Sequence, residues 1–93
     1  MSDKTGKKVQ IEIGEDTFDF TIDINAYNAF VNAFLPNNKV APAFNFATTT
    51  VKPEQQAKLI EWLDQGIAVD VANHLAEEFK PAVKIAVKKS NAA

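Results

Sequence analysis

The period of the apolar positions changes four times along the chain, and each change marks a segment. Val9, Ile11 and Ile13 alternate with Gln10 and Glu12. After Gly14-Glu15-Asp16 the alternation resumes as Phe18, Phe20 and Ile22 against Thr17, Asp19, Thr21 and Asp23. A period of two on both sides of a glycine-containing turn predicts an antiparallel β-hairpin with one apolar, aromatic face and one polar face. Beyond Asp23 the period lengthens to about 3.6. Tyr27, Phe30, Val31, Phe34 and Leu35 predict a first helix, which Asp23 or Asn25 can cap and Pro36-Asn37-Asn38 stops. About ten residues of helix are not stable alone, so its rings are expected to pack on the aromatic face of the hairpin.

The longest periodic run covers residues 53–79, where Leu59, Ile60, Leu63, Ile67, Val71, Leu75 and Phe79 recur at intervals of three or four. Pro53 suits the first turn and Glu54 complements the helix dipole. Gly66 can take the left-handed conformation that ends a helix, which divides the run into 54–65 and 67–79 as a helical hairpin. Lys80-Pro81 ends the second half. Val83, Ile85 and Val87 then alternate with Lys84, Ala86 and Lys88 as a final strand, whose lysines suit a sheet edge.

Between the two helical regions, residues 37–52 have no regular period and are expected to form a long loop. Loops of this length inside a compact domain are uncommon and tend to be functional. Phe44 and Phe46 either plug the core from the side or offer at least one ring to a partner. Val40 and Pro42 belong to the same apolar segment. Trp62 sits slightly off its helical stripe and is either core or an anchor for a partner.

The fold class expected is therefore α+β, in the order ββαααβ: an N-terminal hairpin, three helices with the last two as a helical hairpin, and a C-terminal edge strand. The 93 residues are expected to form one domain over 7–88, flanked by flexible ends at 1–6 and 89–93.

Composition removes several function classes. All ten basic residues are lysine, and twelve acids leave a formal net charge of −2. Without the bidentate arginine fork, and with a mildly acidic balance, nucleic acid is not expected as the main partner. Cysteine is absent, which excludes disulfides, thiolate metal sites and a cysteine nucleophile. No apolar run reaches the ~18–20 residues of a membrane helix, and the N-terminus lacks a signal-peptide core, so the expected location is the cytoplasm.

Chemistry-bearing sets are equally scarce. His74 is the only histidine, with Asp70 and Glu78 one helical turn to either side. A lone imidazole beside two acids on the polar sector of a helix is a solvated face rather than a zinc site. Ser2 and Ser90 lie near the two ends, so no serine triad is expected. The three glycines do not cluster into a phosphate-binding loop. Neither catalytic residues, metal nor cofactor is expected.

The words Asn38-Lys39-Val40-Ala41-Pro42-Ala43-Phe44-Asn45-Phe46 and Thr50-Val51-Lys52-Pro53-Glu54 resemble those of small tail assembly chaperones of tailed phages and prophages. Residues 59–89, with Glu77-Glu78-Phe79-Lys80-Pro81 and Lys88-Lys89-Ser90, are also similar. The resemblance implies a non-enzymatic protein of the host cytoplasm that engages the tape measure protein and tail-tube subunits during tail assembly and is left out of the virion. Val40, Pro42, Phe44, Phe46 and Trp62 are the candidate partner-binding residues. Two alternatives remain: a structural tail or connector subunit, found in purified particles, and a small nucleic-acid-binding regulator, which would show salt-dependent retention on DNA. Edge strands and exposed aromatics leave a homo-oligomer open.

Overall fold

A computed structural model describes residues 6–80 of the chain. Strands β1 (Lys7–Ile13) and β2 (Asp16–Ile22) pair antiparallel, with Val9 opposite Phe20 and Ile11 opposite Phe18. Gly14 takes φ +60° in the turn, a conformation that costs residues with a Cβ about 1–2 kcal/mol. The register places Phe18, Phe20 and Ile22 on one face, and all three are essentially sealed from solvent. Full burial of side chains of this size contributes roughly 1.5–3 kcal/mol each.

Helix α1 (Ile24–Ala33) begins where Asp23 caps it, its Oδ1 accepting from the Ala26 N–H at 2.8 Å. It ends at a tight turn in which Leu35 and Asn38 exchange backbone hydrogen bonds of 3.2 and 3.0 Å around Pro36 and Asn37. The expected hairpin and first helix are thus present, but α1 does not take the hairpin as its main support. Phe30 stacks on Phe46 at 4.6 Å with an interplanar angle of 11°, and Tyr27 stacks on Phe79 at 5.0 Å.

Phe46 can play that part because the expected loop is a helix. Residues Val40–Thr50 form α2, and they bury Ala43, Phe46, Ala47 and Thr50, a spacing of three, four and seven. The helical period is real but is carried by alanine and threonine, so it does not stand out as an apolar stripe. Three consecutive β-branched threonines lower helix propensity. Their hydroxyls return to the helix instead: Thr48, Thr49 and Thr50 donate to the carbonyls of Phe44, Asn45 and Phe46 at 2.9, 2.7 and 2.7 Å. Tertiary packing settles the outcome, because α2 lies against α4 (Ala68–Phe79) with Ala43, Ala47 and Ala72 fully buried between them.

Past α2, Val51 bridges to Phe20 and the Lys52 N–H donates to the Asp19 carbonyl at 2.8 Å, so the chain runs briefly along the outer edge of β2. A short 3₁₀ turn at Pro53–Gln55 leads into α3 (Gln56–Trp62). The wide turn Leu63–Ile67 follows, in which Gly66 has φ +99°. Gly66 therefore divides the long run as expected. The halves do not form a self-contained helical hairpin, however, since α4 takes α2 rather than the seven-residue α3 as its main partner. Leu59, Leu63, Val71 and Leu75 from the long run are buried. The result is α+β, a hairpin followed by helices. The expected final strand around Val83, Ile85 and Val87 lies outside the described residues, as does the expected C-terminal tail.

Candidate partner-binding surface

Among the described residues, four large apolar side chains are about half exposed or more: Ile24 at 50%, Val31 at 48%, Leu35 at 49% and Val40 at 64%. At 3.6 residues per turn, Ile24 and Val31 fall roughly 80° around α1 from the mean direction of Tyr27 and Phe30, and Leu35 lies in the turn beyond the helix. The first-helix stripe is therefore two stripes. One packs inward on α2 and α4, and the other, with Ile24 and Val31, faces out.

Between α1 and α2 runs a groove of ≈ 300 Å³. Its walls are small: Ala26, Ala29 and Ala33 on one side, Asn45 and Thr49 on the other, over a floor of Phe30, Pro42 and Phe46. No charged residue occurs in 24–38 or 40–51, so Lys39 is the only charge across both helices. Lys39 itself holds its ammonium 5.8 Å from the centre of the Phe34 ring. Charge depletion around an apolar centre is the compositional mark of interface cores. In a chain with 24% charged residues it is not an average outcome.

A second, larger cleft of ≈ 590 Å³ lies between the polar face of the hairpin and residues 49–53. Its polar groups largely satisfy one another. Gln10 Nε2 donates to Asp19 Oδ1 at 2.8 Å, and the Asp19 N–H donates to Gln55 Oε1 at 2.8 Å. The Gln10 hydrogen bond, more than the offset from desolvation, holds the Asp19 carboxyl below its ordinary range, with Gln55, Lys52 and Lys8 acting in the same direction. Among the described residues lining the cleft there is no histidine, serine or cysteine.

The candidate residues are dispersed. Val40 is open to solvent on the first turn of α2, and Pro42 and Phe46 are buried in the floor of the groove. Phe44 is partly buried against the core. Trp62 lies partly buried on the hairpin turn, its indole Nε1 donating to Asp16 Oδ2 at 2.8 Å. Ile24, Val31 and Leu35 are exposed as Val40 is, three residues that the sequence reading did not single out as exposed. The uncharged stretch was the signal available for them. Asp70, His74 and Glu78 are exposed on α4, and no group of three metal-ligating side chains occurs among the described residues. No helix among them is long and apolar enough to cross a membrane.

A family model described as phage tail assembly chaperone matches residues 9–89. The chain belongs to the phage tail assembly chaperone family. No curated protein and no solved structure matches it. Within this family member, the matched segment includes the hairpin from Val9, the four helices of the described residues and the exposed Ile24, Val31, Leu35 and Val40.

Proposed function

We propose that this family member is a non-enzymatic chaperone of the host cytoplasm, which holds amphipathic helices of the tape measure protein and tail-tube subunits while the tail is built. The observation that supports this reading is the uncharged face of α1 and the start of α2. Ile24, Val31, Leu35 and Val40 are exposed, and a separate groove with small walls runs between α1 and α2. A helix laid across such a surface buries its own apolar stripe at i, i+3, i+4 and i+7, which is the helix-in-groove mode of recognition. A surface without charge favours no acidic or basic segment, and it releases its client without breaking an ion pair. Val40 is the direct contact in this reading, Pro42 and Phe46 shape the floor, and Phe44 and Trp62 hold the elements around it.

The test is co-expression with the tape measure and tail-tube proteins of the same phage, followed by affinity capture. The wild-type chain retains one or both. A Val31→Ser/Val40→Ser double variant, altered only at exposed positions, retains neither while keeping its helical circular dichroism. Capture unaffected by the double substitution would remove the surface from consideration. No capture by the wild type would remove the function. Mass spectrometry of purified particles separates this reading from a structural tail or connector subunit.

A further inference from the structure

The groove between α1 and α2 is built from two matching stripes. Ala26, Ala29, Phe30 and Ala33 line it from one helix, and Pro42, Asn45, Phe46 and Thr49 line it from the other. Both sets are spaced at i, i+3, i+4 and i+7, so each is a single face of its helix. The third member of each stripe is a phenylalanine, and these two rings stack at 4.6 Å. Phe30 and Phe46 are buried, whereas Ala29 and Ala33 are exposed. Methyl side chains there allow the backbone of a third helix to come close, and the ≈ 300 Å³ of the groove admits its side chains.

The chemistry of the walls narrows what that helix can be. None of the lining residues carries a charge, so a charged side chain laid into the groove would lose its water without meeting a counter-ion. Hydrogen-bonding capacity is concentrated in one residue. The Thr49 hydroxyl donates to the Asn45 carbonyl at 2.7 Å, which commits its hydrogen within α2. Asn45 is exposed, and its carboxamide brings two N–H donors and an acceptor oxygen to the wall. A wholly apolar occupant would cover that amide without giving it a partner, at a loss of about tenfold or more in affinity.

Resting on the reading that this protein holds client helices, we propose that Asn45 selects among them. The helix it favours has an apolar stripe free of charge, interrupted by one neutral amide or hydroxyl side chain that hydrogen-bonds the Asn45 carboxamide. That single polar pair also sets how far along the groove the client lies, as one buried asparagine sets the register of coiled-coil helices. A client shifted by a turn would place an apolar side chain on the carboxamide and lose the bond.

The test uses the full chain and whichever of the tape measure and tail-tube proteins of the same phage the wild type retains. Asn45→Leu is expected to weaken that complex about tenfold or more although it adds apolar surface. The same change at Asn73, exposed on α4 and outside the groove, is expected to leave affinity within about twofold. Ala33→Phe, which fills the groove from an exposed position, is expected to abolish capture, with helical circular dichroism retained in all three variants. Equal or tighter binding by Asn45→Leu would overturn the selection and leave the chaperone function standing, whereas no retention by the wild type would remove both. If Ala33→Phe spared the client and lowered self-association in light scattering, the groove would belong to a second copy and the proposal would fall.

Discussion

Trp62 and Gly14 meet face to face. A Cβ built on Gly14 would stand 2.6 Å from Trp62 Cη2 and 2.8 Å from Cζ2, while the indole N–H reaches past the turn to Asp16 at 2.8 Å. The hairpin turn is therefore shaped for the end of α3, and one glycine serves two needs, positive φ and absence of a side chain. Gly14→Ala is expected to destabilise the domain by about 2–4 kcal/mol, combining left-handed strain with overpacking. Urea denaturation followed by tryptophan fluorescence would measure it, and a loss below half a kcal/mol would show that the contact is slack.

Asp16→Ala removes the acceptor and leaves the partly buried indole N–H to find water. The expected cost is about 1 kcal/mol, with a red shift of tryptophan emission. Asp16→Asn keeps an acceptor oxygen and is expected to keep most of the stability. The nearby Lys58 ammonium, 4.0 Å from Asp16 and itself exposed, adds little.

The α2 and α4 interface depends on alanine. Ala43 and Ala72 are fully buried where the two helices press together. Ala43→Leu is expected to cost about 1–3 kcal/mol by overpacking. The exposed Val40→Ser is expected to stay within about 0.5 kcal/mol of wild type. Thermal denaturation of both variants separates the core side of α2 from its outer side.

Asp19 supplies the pH dependence. Its carboxyl titrates below the ordinary value, chiefly because Gln10 hydrogen-bonds the ionised form. A depressed folded-state value means that this contribution is present above the unfolded value of about 3.9 and is lost as pH falls through the lower folded one. Carbon-detected NMR titration is expected to place the Asp19 midpoint below the ordinary aspartate value. Gln10→Leu is expected to bring it back toward the ordinary range, and an unchanged midpoint would contradict the assignment of cause.

The hairpin, the capped first helix, the break at Gly66 and the core residues of the long run were legible in the sequence, because alternation, capping chemistry and helical period are local properties. Asp23 carries its cap within three residues, and Gly66 its left-handed turn within one. Family membership was legible for a related reason, since the resemblance rests on contiguous words such as those around Val40 and Pro53.

What only the tertiary structure decided concerns surfaces that meet at long range. Ala43, Ala47 and Thr50 have no apolar bulk to advertise a buried face, and the neighbouring threonines argue for extended chain. They are helical because α4 lies against them and their hydroxyls can turn back on the helix. Once α2 exists, it takes Phe30 away from the hairpin, places Pro42 and Phe46 beneath a groove, and leaves Ile24, Val31 and Leu35 facing water. An isoleucine or a leucine has the same hydrophobicity in either place. Whether it becomes core or docking surface depends on which other element arrives to cover it, and that is a property of the packed whole.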